Sequence, residues 1–401
     1  MRTSALLSSV LIVTFVLATS GCKSTERVLV DLAEGKNPTQ IAQKRLDQYA
    51  RDPEALLRDL REAQKDFETI LAALGVNVGK TWGKKEVKLP ERKKYVKYTQ
   101  NYRSRAIVDF DAGQIQVETL DDQDPQRSLK NAVITTILTP QDPRAVDLFS
   151  DKEIVLTGDK EPYLFGLVLD QQNKPVRTPA EAEPFAAYLV EKKSGTRVVD
   201  QDGTKKTAHS VTIPMVSNLA VKQADKYRPL VQQFAQQYRI SPSLVFAIIR
   251  TESNFNPYAV SSAPAYGLMQ LVPTSGGREA YRKAKGKDIT PSRDYLFDPS
   301  NNVELGTAYL NVLMFNQLEE VAQNVSREYC VIAAYNTGPS NVFRTFSRDR
   351  AAAVNQINGL QPAAVYDQLH QHLPYQETRH YLEKVTGYRK SFVSSSEVSS
   401  H

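Results

Sequence analysis

The sequence is poor in cysteine and tryptophan and almost devoid of long apolar runs. Cys22 and Cys330 are its two cysteines and Trp82 is its one tryptophan in 401 residues. Two cysteines are too few for a disulfide framework. The one long apolar stretch lies within the first 22 residues, and nothing after it is apolar enough to cross a bilayer. A glycine-rich phosphate loop is missing, and so is a serine-nucleophile elbow. His370 and His372 stand two apart and do not face together on a helix. With no metal-ligand set in view, neither a metal nor a cofactor is expected. No sign of charge dominates: 51 Lys plus Arg meet 45 Asp plus Glu, a net charge of +6. That excess suits a protein meeting anionic polymers or surfaces but is too small to argue for nucleic acid as a partner. What remains is globular in composition, 41% hydrophobic and 24% charged, and long enough for two or three domains of about 150 residues.

The chain opens with Arg2, an apolar stretch from Ala5 to Ala18, and small residues Ala18-Thr19-Ser20-Gly21 directly before Cys22. This reads as a secretory signal over residues 1–21. Small residues running into a Cys resemble a bacterial lipoprotein signal, in which Cys22 becomes the lipidated new N-terminus, although Thr19 stands where an aliphatic residue is usual. The alternative is an ordinary signal with an incidental Cys. Acyl chains on Cys22 would hold the protein at a membrane surface without spanning it. Cys330 would then be the only ordinary thiol, and it reads as a small core residue.

Residues 22–36 are polar and read as a tether. Ile41, Leu46, Leu56, Leu57, Leu60 and Phe67 follow helical spacing up to about Leu74. The texture then changes towards strands. Ala106, Val108 and Phe110 alternate, Asp111-Ala112-Gly113 turns, and Ile115, Val117 and Thr119 alternate again, predicting a hairpin. A helix is expected around Gln126 to Leu138, with strands over Tyr163 to Asp170 and Ala208 to Pro214. Basic residues cluster at Lys84-Lys85 and Arg92-Lys93-Lys94. They read as a solvated strand edge before they read as a surface for an anionic glycan or lipid. Residues 37–215 are therefore expected to form an α+β domain. Residues 218–393 are helical almost throughout and are expected to form an all-α domain, followed by a disordered tail over 394–401. Within it, helices should start at Ser241-Pro242, at Asp298-Pro299 and at Ser326.

One carboxylate in the helical half is out of place. Along the helix from Ser241, at about 100° per residue from Leu244, Ile248 falls at about 40° and Val245 at about 100°. Glu252 falls at about 80°, inside that apolar arc and in the last helical turn. Burial and the helix C-terminus both disfavour its ionisation, so it should keep a proton near neutral pH. A glycosidic bond needs such a general acid. A helix end that curls Glu252 into solvent, or a buried structural hydrogen bond, are the alternatives.

Ser253 and Ser261 follow, then Gly267-Leu268-Met269-Gln270, and downstream Ala334-Tyr335-Asn336 and Glu377-Thr378-Arg379-His380-Tyr381-Leu382. Leu296-Phe297-Asp298-Pro299 and Gly306-Thr307-Ala308-Tyr309-Leu310 lie between them. In this order and spacing the segments resemble the lytic transglycosylase family, over about residues 218–392. The resemblance implies a lysozyme-like catalytic domain and peptidoglycan glycan strands as substrate. It also implies a place on the periplasmic side of the outer membrane through Cys22, with other cell-wall enzymes as further partners. Thr337 stands where Gly is common in the family; it should be tolerated unless that backbone needs a positive φ.

Carried onto this sequence, the family pattern makes Glu252 the catalytic residue and Ser261, Gly267, Met269, Gln270, Tyr335, Asn336 and Tyr381 the substrate-binding set. Gly267 would let the backbone pass close to a ligand, and Gln270 offers an amide donor and acceptor; the alternative is a short helix whose Leu268 and Met269 fill core. Asn336 is either a sugar contact or, with Gly338, a helix cap. Tyr335 and Tyr381 either orient Glu252 or flank a sugar ring. Paired-carboxylate glycosidases need a second acid, and none is seen in an apolar stripe of this domain. The resembled family uses one Glu, which protonates the oxygen between MurNAc and GlcNAc and then accepts the MurNAc 6-hydroxyl proton to close a 1,6-anhydro ring. The rivals are a goose-type muramidase using water, and a lipoprotein that binds glycan without cutting it.

Overall fold

The computed structural model describes residues 53–156, 160–261 and 264–393. The leader over 1–21, Cys22, the tether over 22–36, the part of the expected first helix before Pro53 and the tail over 394–401 lie outside the described residues. Contacts divide the chain into residues 1–76 and one compact unit over residues 77–401.

Helix α1 (Pro53–Trp82) runs past Leu74, because Val78 and Trp82 continue the buried stripe of Phe67 and Leu74. Five antiparallel strands follow: β1 (Lys94–Thr99), β2 (Ser104–Asp109), β3 (Gln114–Thr119), β4 (Gly195–Gln201) and β5 (Thr204–Pro214). Their order in the sheet is β1-β2-β3-β5-β4. The expected hairpin is β2–β3, with Ala106 opposite Val117 and Val108 opposite Ile115. Helix α2 (Pro125–Ile137), capped by Asp124, covers β2, β3 and β5, and α3 (Pro179–Lys193) packs on α2 and β5.

The strand expected over Tyr163 to Asp170 is instead a run of turns, with Gly166 at φ 71° and backbone bonds closing from Phe165 to Pro162 and from Leu167 to Leu164. Its apolar residues are buried by packing and not by laddering. The Tyr163 hydroxyl donates to Phe255 O at 2.9 Å. Trp82 and the sheet also hide charge that alternation gave no hint of. Arg105 stacks 3.9 Å over the Trp82 ring and pairs with Glu118 at 2.7 Å, both side chains being essentially inaccessible. Arg197 joins Glu118 to Glu86 at 2.7 and 2.8 Å.

The helical half comprises α4 (Leu219–Tyr238), α5 (Pro242–Ser253), α6 (Gly276–Lys285), α7 (Arg293–Phe297), α8 (Pro299–Val312), α9 (Asn324–Thr337), α10 (Pro339–Phe346), α11 (Arg350–Gly359), α12 (Pro362–His372) and α13 (Gln376–Arg389). Ser241 and Asp298 occupy the N-cap positions expected of them, and Asp298 accepts from Asn301 N at 3.0 Å. Helix α9 starts two residues before Ser326, which is buried within it. Cys330 to Ala334 in α9 are fully buried, and burial pushes the Cys330 thiol up to about 12. Helix α5 is enclosed on nearly all sides, so its apolar arc is wider than an amphipathic helix requires; beyond its first residue only Arg250 escapes, over the Tyr388 ring at 4.1 Å. Helix α13 packs on α5 and α9, and α4 packs on α5 and α8. Among the described residues no helix is long and apolar enough to cross a membrane.

Candidate active site

Glu252 lies in the last turn of α5 and is 5% exposed. Desolvation dominates its environment and pushes its carboxyl up to about 7; Glu377 adds to the rise, while Tyr381, Arg92 and Lys93 oppose it. The Tyr381 hydroxyl is buried against the carboxyl without closing a full hydrogen bond to any group. Asn254 caps α5 at φ 47°, and Phe255 follows at φ 61°. A phenylalanine in the left-handed region is a strained position, held here by ring contacts to Tyr227, Phe246 and Phe392. The chain therefore turns sharply away directly after the carboxylate.

The Gly267-Leu268-Met269-Gln270 segment is fastened beside that helix end. Ser253 Oγ donates to Leu268 O at 2.7 Å, and Tyr335 Oη donates to Met269 O at 2.8 Å. Asn302, fully buried on α8, accepts from Met269 N at 2.8 Å and donates to Tyr266 O and Leu296 O at 2.8 and 2.7 Å. Gly267 sits at φ 75°, and a Cβ there would lie 2.5 Å from both Asn302 Nδ2 and Leu296 O. The absence of a Cβ is what permits this close protein packing. Met269 is fully buried, and its sulfur occupies the space that a Cβ on Gly306 would need. Gln270 spends its amide donors on Ala259 O and Gly267 O at 3.1 and 2.9 Å, and its carbonyl oxygen is buried without a partner.

Asn336 accepts from Thr378 Oγ1 at 2.7 Å, and Thr337 is helical. The positive φ, 82°, falls on Gly338, so the departure at Thr337 is accommodated. Two open cavities flank the start of α13. One, of about 590 Å³, is walled by Arg92, Lys93, Thr251 and Tyr381; the other, of about 690 Å³, by Asn336, Asn341 and Thr378. Both are bounded by Gln376 and Glu377. Ser261 stands further along the loop, its N–H bonded to Ala265 O at 3.3 Å.

Three features escaped the sequence reading. Arg92, with its side chain 42% exposed, also lies 3.7 Å from Glu252. Asn302 carries no apolar or catalytic signature, although it lies one turn beyond the Asp298-Pro299 start. A second buried acid exists, Glu304 on α8, but Lys285 neutralises it at 2.7 Å and Tyr238 donates to it at 3.3 Å. Among the described residues no group of three or more His, Cys, Asp or Glu side chains is placed to hold a metal.

The model of the membrane-bound lytic murein transglycosylase C N-terminal domain matches residues 52–226, and that of the transglycosylase SLT domain matches residues 229–358. The chain is 43% identical over 346 residues to membrane-bound lytic murein transglycosylase C of Yersinia enterocolitica, covering 85% of this chain and 92% of the relative. With the protein of that name from Serratia proteamaculans it shares 43% over 339 residues, 84% of this chain and 92% of the relative. Among solved structures, an inactive mutant of the lytic transglycosylase Slt from Pseudomonas aeruginosa aligns with a TM-score of 0.32 and 30% identity, over 41% of this chain and 23% of that one. With both halves matched and the similarity running through most of its length, the chain belongs to the membrane-bound lytic murein transglycosylase C family.

Proposed function

We propose that this lytic murein transglycosylase works through Glu252 alone, as acid and then as base. The observation that carries the reading is a carboxyl buried at the end of α5, raised to about 7 and facing a tyrosine hydroxyl with no other partner. Protonated, Glu252 donates to the glycosidic oxygen between MurNAc and GlcNAc, and the MurNAc 2-acetamido group assists at the anomeric carbon. The carboxylate left behind accepts the 6-hydroxyl proton as that oxygen closes the 1,6-anhydro ring, which restores the acid and consumes no water. Desolvation raises proton affinity enough for the first step, and a group titrating near the working pH serves both directions. Tyr381 orients the carboxyl. Gln270, through its unpartnered oxygen, and Asn336, on the wall of the second cavity, supply polar contacts to sugar. Ser261 and Tyr335 complete the set, Tyr335 by holding the Met269 carbonyl. Glu252→Gln keeps the shape and a donor but cannot accept the second proton. Purified sacculi incubated with that variant should release no anhydro-muropeptides, and retained release would remove Glu252 from the role.

Lipidation at Cys22 places the enzyme on the periplasmic side of the outer membrane, within reach of the wall. Cys22→Ser should move the protein from the membrane fraction to the soluble periplasmic fraction, and unchanged fractionation would dismiss the anchor.

A further inference from the structure

The basic run Arg92-Lys93-Lys94 has no part in the chemistry above, yet one member reaches the acid. Lys93 pairs with Asp111 at 3.2 Å and Lys94 with Asp109 at 3.7 Å, so both charges are met locally. Arg92 differs. Its Nη1 lies 3.7 Å from Glu252 Oε2 and its Nη2 lies 3.4 Å from Glu377 Oε1. The backbone that delivers it is fastened by the residues just past Glu252. Asn256 Nδ2 donates to Arg92 O at 3.1 Å, and Asn254 Nδ2 donates to Phe110 O at 2.8 Å and to Asp111 Oδ1 at 3.1 Å. Phe110 N in turn donates to Lys93 O at 3.1 Å. The sheet region is thereby clamped to the end of the catalytic helix at the point where Arg92 enters the cleft.

We propose that Arg92 is a positioning residue for Glu252, its guanidinium spanning Glu252 and Glu377 and fixing where the acid points. A planar fork holds two carboxylates in a fixed relation, which a lysine point charge cannot. An acid that donates to one oxygen and then accepts from another must keep its place between the steps. The role depends on Glu252 being the acid. The charged and titratable groups facing Glu252 are Arg92 and Lys93 from the segment before β1, Glu377 and Tyr381 from α13, and Tyr335 from α9. Arg92 favours the ionised carboxyl and Glu377 the protonated one.

The sign of each substitution follows. Arg92→Gln leaves Glu377 unopposed, so Glu252 holds its proton to higher pH. Glu377→Gln leaves Arg92 to Glu252 alone, with the reverse result. The test measures anhydro-product release from sacculi against pH for the full chain and for Arg92→Gln, Arg92→Lys, Glu377→Gln and Glu252→Gln, with thermal unfolding confirming each fold. Arg92→Gln should lower the neutral-pH rate and move the high-pH limb upward, and Glu377→Gln should move that limb downward. Arg92→Lys should restore the limb but not the full rate. A folded Arg92→Gln with an unmoved limb overturns the proposal. Should Arg92→Gln not fold, an unmoved limb in Glu377→Gln overturns it equally. Activity in Glu252→Gln would instead overturn the assignment of the acid itself, a separate result.

Discussion

At the scale of single residues, the burial of Glu252 makes stability depend on pH. Its folded-state proton affinity is raised from 4.5 to about 7 by burial. The folded state therefore binds a proton more tightly than the unfolded state, and stability falls as pH rises from 4.5 through about 7. Glu252→Gln cannot ionise, so it should be more stable than the parent at pH 8, by on the order of 1–3 kcal/mol, with little difference at pH 4. Urea unfolding at the two pH values checks this, and equal stabilities at pH 8 would argue against a desolvated carboxyl. The burial of Glu252 was legible because helical spacing alone places it among Leu244, Val245 and Ile248. Arg92 was not, since a run of basic residues carries no periodicity and its partner lies far along the chain.

At the scale of elements, the Gly267–Gln270 segment shows that a motif recognised by its order and spacing is also held by packing. Its order and spacing from Glu252 mark the site, yet Gly267 and Met269 turn inward and are needed for packing against Asn302 and Gly306. Gly267→Ala places a Cβ against a carbonyl at a positive φ, and should cost about 2 kcal/mol or more and reduce activity. Thermal unfolding and product release together check it. The β2–β3 hairpin and the α5 and α8 starts were readable from alternation and capping residues. The turns over Tyr163 to Asp170 were not, because an apolar run looks the same whether a ladder or a packed surface buries it. Nor does a strand pattern announce buried charge: Glu118 sits between Arg105 and Arg197 on the sheet. Glu118→Ala removes one of the two carboxylates that meet the fully buried Arg105, leaving Glu86 at 3.1 Å, and should cost about 3 kcal/mol in a denaturant titration.

At the scale of the whole molecule, residues 77–401 form one compact unit in which Asn254 and Asn256, just past Glu252, bond to the sheet region. The Tyr95, Tyr163 and Tyr258 rings pack edge to face, and Tyr258 donates to Pro140 O, joining segments from both halves of the sequence. Composition and pattern separated an α+β half from an all-α half, but such separation says nothing about how closely two regions dock. The central claim is that one buried carboxyl cleaves the glycan without water. Digesting purified sacculi in water enriched in heavy oxygen, followed by mass analysis of the products, measures this directly. The expected products are 1,6-anhydro-muropeptides, one water lighter than hydrolysed ends and free of the isotope. Reducing-end muropeptides carrying the heavy oxygen would contradict it.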